Sequence, residues 1–278
     1  MYNFFINGEE YVFQKILGKG SYGITFLYIK NDKNYAVKFL NCQINFEREK
    51  YNMIEIKKLL NGCDERIQCY VDCFTLNKND MLYNDIYQLI NIYNKNFKNG
   101  ENIMALISEF IDGDELYNYI IDKKRTLDDI NNFVIFMMEV LYIIHSKNII
   151  HNDIKPENII RKKNGKYVLI DFGLSSLSIC DKIYGSNEYI QPWLYSTIKK
   201  KNTIELHKEH DIFGFMMTLY SLVNCSYCFE INSPIINYNT YIPSKSKYKD
   251  YDNFLNYIFK NKLFKYDELL QFFDIDIK

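Results

Sequence analysis

The amino-acid sequence predicts an α+β fold: a β-rich N-terminal part containing one main helix, followed by a mostly helical C-terminal part. Three observations carry this expectation. Apolar and aromatic residues alternate through the first 40 residues, broken by Gly-rich or Asn-Asp-Lys turns. Residues 45–60 then switch to helical spacing. From about Asp112 onward, long amphipathic stretches replace the alternation. At 278 residues the chain can form one large domain or two lobes and bury a sizeable core.

In order along the chain, strands are expected at residues 11–17, 24–29 and 34–40. The helix at 45–60 carries Phe46, Met53, Ile56, Leu59 and Leu60 on its apolar stripe. Two further strand-like runs cover 67–76 and 103–110. The Asn/Lys/Tyr-rich stretch between them, about residues 77–102, is too long for a simple hairpin and is read as an insertion. In the C-terminal part, residues 128–146 form a helix capped by Asp128 or Asp129, with Phe133, Phe136, Met137, Val140, Leu141 and Ile144 inward. Further helices are expected at 211–223 and 250–259, with a short one at 267–273. No internal repeat is present.

Composition narrows the function classes. Hydrophobic residues make up 47% and charged residues 25%, as in an ordinary globular protein. A net charge of -1 argues against nucleic acid or an acidic membrane as partner, since both need a basic excess. No apolar run reaches the roughly 20 residues of a membrane span, and the N-terminus lacks a secretory pattern. Seven cysteines, an odd number, are read as reduced thiols of a cytosol-like compartment. The 25 Tyr and 20 Phe stand beside only two Ala and four Arg. Such a bias favours A/T-rich codons and is compatible with a large DNA virus or an A/T-rich parasite, so any surviving Ala or Arg merits inspection.

The stretch from His151 to Ile160, HNDIKPENII, carries most of the chemistry. It sets Asp153, Lys155 and Asn158 at offsets of two and five, and Asp171-Phe172-Gly173 follows thirteen residues after Asn158. A carboxylate to take a proton, an amine to hold phosphate, and an amide plus a second carboxylate to hold metal are the parts needed to move a phosphoryl group. Upstream, Gly18, Gly20 and Gly23 lie in a strand–turn–strand context, where the missing Cβ atoms let backbone N–H groups approach phosphate. A helix does not follow, which disfavours a dinucleotide fold. Lys38 ends Tyr35-Ala36-Val37-Lys38, an apolar strand in which a lysine needs an anionic partner.

Taken in order, the glycine-rich turn, the strand lysine, a helix with glutamates, Glu109, HNDIKPEN, DFG, the Gly185–Pro192 segment and Asp211-Ile212-Phe213-Gly214 resemble a eukaryotic-type protein kinase of the serine/threonine type. The resemblance covers roughly residues 10–225. It implies a bilobal kinase-like fold and one kinase domain over 1–278, with an N-lobe of about 1–110 and a C-lobe of about 111–278. The implied ligands are ATP and Mg2+. Gly18, Gly20 and Gly23 would cover the phosphates, with Leu17 and Thr25 above the adenine ring and Ala36 also at a nucleotide-binding position. Lys38 would hold the α/β-phosphates, Asp153 would receive or orient the substrate proton, and Lys155 would neutralise the transferring group. Asn158 and Asp171 would hold magnesium. Glu109 and Ile111 would offer backbone groups to adenine, and Glu115 would contact ribose. For the glutamate partner of Lys38, sequence spacing favours Glu55 and the apolar pattern favours Glu49; Glu55 is taken.

Departures from the family pattern are informative. Asn152 stands where regulated kinases carry an arginine that receives a phosphorylated activation loop, and only 11 residues separate Gly173 from Gly185. Activity without loop phosphorylation is therefore expected. Gln191-Pro192-Trp193 replaces Ala-Pro-Glu, and no arginine follows Arg161, so both members of the family's buried ion pair are absent together. Ser108 would sit at the back of the adenine pocket. Cys225 and Cys228 have metal-ligand spacing without a second pair, and buried thiols are the simpler reading. His145 and His207 read as ordinary packing residues, and His151 as packing beside Phe172. The expected activity is transfer to serine or threonine of a protein substrate by a cytoplasmic monomer (host cytoplasm, if viral). A catalytically inert scaffold and a small-molecule kinase of related fold are the alternatives.

Overall fold

The computed structural model describes residues 2–20, 23–95, 97, 102–122, 125–176, 179–180, 189, 191, 204–205, 207–229 and 241–273. The chain divides into two compact units, Met1–Ile111 and Asp112–Lys278.

The first unit is built on an antiparallel six-stranded sheet. Its strands are β1 (Phe4–Ile6), β2 (Glu9–Lys19), β3 (Ile24–Lys30), β4 (Lys33–Leu40), β5 (Tyr70–Leu76) and β6 (Ile103–Glu109), ordered β1-β2-β3-β4-β6-β5. The two-residue period of a strand sorts its side chains. Phe26, Tyr28, Val37, Phe39, Ala105 and Ile107 share one buried cluster with Phe4 and Tyr11 of β1 and β2. Lys38 lies between Val37 and Phe39 and so projects from the opposite face, beside Thr25 of β3 and Leu106 of β6 in the register.

Two helices complete this unit. α1 (Gln43–Leu59) buries Phe46, Glu49, Asn52, Met53 and Ile56 on one stripe. The stretch 77–102 contains a second helix, α2 (Tyr83–Tyr93), whose Tyr83, Ile86, Leu89 and Ile90 join the aromatic cluster. What reads as an insertion thus closes the face of the sheet turned away from Lys38. The turn after α1 brings the Cα atoms of Cys63 and Cys69 to 5.4 Å, a separation at which two cysteines can be bridged.

The second unit opens with β7 (Gly113–Glu115) and α3 (Leu116–Ile121) and continues into α4 (Leu127–Ser146). The cap of α4 is Thr126, not Asp128 or Asp129. The Thr126 hydroxyl accepts from the Asp129 N–H while the Asp129 carboxylate accepts from the Thr126 N–H, a reciprocal capping box. β8 (Ile159–Lys162) pairs with β7 on one side and with β9 (Tyr167–Leu169) on the other, in a small antiparallel sheet. A further two-strand pair, β10 (Ile179–Cys180) and β11 (Ile204–Glu205), follows. α5 (Glu209–Asn224) is buried over nearly its whole length, and α6 (Lys249–Asn261) and α7 (Tyr266–Phe273) pack C-terminal to it. No helix among the described residues is long and apolar enough to cross a membrane.

Candidate active site

In the first unit the candidate residues gather around Lys38. Its ammonium donates to both carboxylate oxygens of Glu49, at 2.7 and 2.9 Å. The expected partner, Glu55, instead meets Lys58 at 3.7 Å. The correction follows from helix geometry. Six residues of α-helix turn through about 600°, so Glu55 stands about 240° around the axis from Glu49. Glu49 shares the buried stripe of Phe46, Met53 and Ile56, and is itself only 4% exposed.

The β4 register brings the other predicted positions of this unit together. Thr25 lies opposite Lys38 and Gly18 opposite Thr25, while Leu27 and Ser108 flank Ala36. Leu17 lies between Ile16 and Gly18 on β2. Ser108 is buried, donating to the Ala36 carbonyl at 3.4 Å and accepting from the Gln68 amide at 2.9 Å. The Glu109 N–H is committed to the Cys69 carbonyl at 3.1 Å, and Ile111 is half-buried at the end of the unit. A Cβ at Gly18 or Gly20 would meet no described atom within 4 Å, so that turn leaves open space beside its backbone. At Gly23 a Cβ would strike the Phe39 carbonyl, so that glycine is required by packing.

In the second unit the Asp153 carboxylate is the centre. Lys155 donates to Asp153 Oδ2 at 2.7 Å, and the Asn158 amide nitrogen donates to the same oxygen at 2.9 Å and to the Asp153 carbonyl at 2.8 Å. The single 3-10 turn Pro156–Asn158 bends the chain so that offsets of two and five converge on one carboxylate. With its nitrogen spent, the Asn158 amide has its oxygen left to offer. Asp171 sits at φ 63°, a left-handed conformation uncommon outside glycine, and accepts from the Gly173 N–H at 3.3 Å. Asp171 and Asn158 supply oxygen donors, the set that suits a hard cation such as magnesium. Asn152 is also left-handed, at φ 69°, and its amide donates to the Leu174 carbonyl at 2.9 Å. It thereby ties the segment before Asp153 to the turn after Asp171.

The sequence placed Asp211 in the Asp211-Ile212-Phe213-Gly214 motif without giving it a role; the structure shows that it holds this segment in place. Asp211, at the start of α5, accepts from the N–H groups of His151 and Asn152 at 2.8 and 2.9 Å and bonds the His145 ring at 2.8 Å. His145 is therefore part of the support for Asp153. Burial alone would raise the Asp211 pKa, but the hydrogen bond and charge of His145 and the contacts from His151 outweigh it and hold the carboxyl below the usual range. Gly214, one turn on, allows the close approach: a Cβ there would lie 2.7 Å from the Ile154 carbonyl. The available signal was an aspartate opening an apolar helix with a glycine three residues later. His151 packs edge-to-face on Phe172 with ring centroids 4.7 Å apart, as the sequence implies.

Glu115 lies at the end of β7, opposite Ile160. Burial and the nearby Glu157 charge raise its pKa, with Lys155 opposing. Asp112 is engaged by Lys163 at 2.8 Å on the surface. Cys225 contacts the Ile120 carbonyl and Cys228 the Met217 sulfur, so the two thiols serve different neighbours. Among the described residues no group of three or more His, Cys, Asp or Glu side chains is placed to hold a metal ion. Gln191 donates to the Glu209 carbonyl at 2.6 Å, holding its segment to the start of α5. Trp193, Ser178, Tyr184 and residues 185–188 lie outside the described residues.

Comparison with known proteins identifies the family. The family model described as protein kinase domain matches residues 11–261. A calcium/calmodulin-dependent protein kinase type 1 of Caenorhabditis elegans is 29% identical over 174 residues, covering 60% of this chain and 43% of its own. A cAMP-dependent protein kinase catalytic subunit of Schizosaccharomyces pombe is 24% identical over 251 residues, covering 87% and 43%. A probable serine/threonine-protein kinase of Dictyostelium discoideum is 26% identical over 196 residues, covering 67% and 38%. The chain thus spans less than half the length of these curated relatives.

Proposed function

The chain belongs to the protein kinase family, and from that premise we propose that it transfers the γ-phosphoryl group of ATP to serine or threonine hydroxyls of protein substrates. The observation that carries the reading is the convergence of Lys155 and Asn158 on the Asp153 carboxylate. Asp153 receives or orients the proton of the attacking hydroxyl. Lys155, already poised by that carboxylate, neutralises charge on the group in transit. Lys38, oriented by Glu49, holds the α/β-phosphates, and the turn at Gly18 and Gly20 leaves open space beside its backbone for them.

Asn158 and Asp171 would hold magnesium, which when bound offsets the charge of the phosphate oxygens. Of the Glu109 backbone groups, only the carbonyl remains to be offered to adenine, since its N–H is taken. Leu17, Thr25, Ala36 and Ile111 are assigned to the rest of the nucleotide site. Glu115, beside Glu157, faces either ribose or a basic residue of the substrate. With ATP as donor, the proposed setting is the cytoplasm.

Control by the loop after Asp171 is proposed to be absent. Position 152 bears a neutral amide spent on Leu174, so no cation stands there to reward a phosphate on the loop. Substrate class is tested by incubating the chain with radiolabelled ATP, magnesium and, separately, a degenerate serine/threonine peptide pool and a panel of small alcohols and aminoglycosides. Label on peptides as phosphoserine or phosphothreonine supports the reading. Label on the small molecules alone points to a small-molecule kinase, and label on neither points to an inert scaffold.

A further inference from the structure

A cavity of about 360 Å³ opens in the second unit and shares no lining residue with the Asp153 cluster. It lies where the end of α5, the segment entering α4 and the segment entering α6 converge, with Arg125, Lys245, Ser246, Lys247 and Tyr248 among its walls. Its size is at the small end of ligand pockets, which run to about 300–1,000 Å³. Among the described residues the lining includes three cations and no carboxylate.

Arginine is scarce in this chain, with four in all, and the other three have side-chain acceptors. Arg48 meets Asn45, Arg66 meets Asp64 and Arg161 meets Asp129. Arg125 meets no side-chain acceptor among the described residues. Its Nη2 donates to the Val223 carbonyl at 2.9 Å, while its buried Nε has no partner among the described residues. The Val223 bond alone would make Arg125 a cap for the end of α5. A cap accounts for neither the orphan Nε nor the two lysines brought beside it.

The walls are held in place. The Tyr248 hydroxyl donates to the Arg125 carbonyl at 2.9 Å, and the Lys245 N–H donates to Asn224 Oδ1 at 3.1 Å. Lys245 and Lys247 keep their side chains exposed, the Lys247 ammonium lying 5.0 Å over the Tyr248 ring. Asp252, on the first turn of α6, is already engaged by the Ser244 hydroxyl, the Ser246 N–H and Lys249. Its carboxylate is thus engaged by groups other than the Lys245 and Lys247 ammoniums. Three cations assembled at one cavity without a carboxylate repel one another until an anion arrives.

We propose that this cavity binds the phosphoryl group of a phosphorylated serine or threonine in a protein partner. A phosphomonoester carries about -1.5 to -2 charges and three acceptor oxygens, which suits a guanidinium and two ammonium groups better than a single carboxylate does. As a dock for substrates already phosphorylated at a second position, the assignment rests on the kinase reading. The binding itself does not, so it is measured without nucleotide.

The probe is a fluorescein-labelled neutral nonapeptide with a central phosphoserine, compared by anisotropy with its serine and glutamate counterparts. The phosphoserine peptide is expected to bind at least tenfold more tightly than either. The exposed-site variant Lys245→Ala/Lys247→Ala should weaken it at least tenfold with an unchanged melting temperature, and Arg125→Gln should weaken it likewise. Equal binding of the three peptides, or no loss in the lysine variant, overturns the proposal. So does tighter binding of a random single-stranded oligonucleotide through the same lysines, which would mark a general polyanion surface. Peptide transfer with no phosphopeptide binding would sink this site and leave the kinase reading standing; the reverse outcome would do the opposite.

Discussion

At the scale of single residues, the Lys38 pair shows how three-dimensional periodicity decides between equal candidates. Glu47, Glu49 and Glu55 all lie on α1, but only Glu49 shares the stripe turned toward the sheet. Its carboxylate is buried against a lysine, so removing the charge leaves Lys38 without its bidentate partner. Glu49→Gln should therefore lower kcat/KM for peptide phosphorylation on the order of 10²-fold, the usual cost of a misplaced positioning group. Glu55→Gln should stay within about twofold of the parent. Equal losses in both variants would refute the assignment.

Asp211 allows a pH test at the same scale. Its carboxyl is held below the ordinary value, which for an unfolded aspartate is about 3.9. A depressed folded pKa means that its stabilisation is complete above about pH 4 and is lost as pH falls through the lower folded value. Asp211→Asn should melt several degrees below the parent at pH 7, consistent with about 2–4 kcal/mol for a buried charged hydrogen-bond acceptor. The gap should narrow as acid protonates the parent's carboxyl. A gap as wide in acid, at the lowest pH where both proteins fold, as at pH 7 would contradict the linkage.

At the scale of elements, packing and propensity make opposite demands at Gly214. Helix propensity favours alanine over glycine by about 1 kcal/mol in a helix interior. Here, however, an added Cβ would approach the Ile154 carbonyl to 2.7 Å and the Ile154 Cβ to 2.9 Å, and the backbone cannot swing aside as a flexible side chain would. Gly214→Ala should lower the melting temperature and reduce peptide phosphorylation, because the displaced chain is the one leading out of Asp153. An unchanged or raised melting temperature with full activity would show that α5 yields readily.

The long elements were legible because their periodicity is strong. α4, α5 and the central strands carry apolar patterns that leave one reading. α2 was not legible as a helix, for a physical reason. It is only 11 residues long and sits in an Asn/Lys/Tyr-rich stretch, so its stability comes from docking Tyr83, Ile86, Leu89 and Ile90 on the sheet. β1, β7 and β9 have three residues each, too few to show an alternation. The Thr126 cap was missed because two acidic residues beside it compete for the same role on composition alone.

At the scale of the whole molecule, local motifs proved readable and long-range supports did not. The Asp153, Lys155 and Asn158 cluster closes within six residues, so its spacing alone announces it. The support from Asp211 bridges about 60 residues, and no local pattern fixes such a contact. Asn152 belongs to both levels: its identity was visible, while its bond to Leu174 needed the fold. The neutral tie at that position leads to a global prediction about control. Replacing Ser175, Ser176 and Ser178 by Ala and Tyr184 by Phe should leave peptide phosphorylation within about threefold of the parent. A loss beyond tenfold, with the melting temperature maintained, would reveal a phosphorylation switch after all.

The most direct measurement is phosphoryl transfer from radiolabelled ATP to a serine/threonine peptide pool, comparing the parent chain with Asp153→Asn. The account predicts labelled phosphoserine or phosphothreonine from the parent. It also predicts a loss of at least 10²-fold in the variant, as removal of a general base requires. Equal labelling by the two proteins, or no peptide labelling by a folded parent in the presence of magnesium, would contradict it.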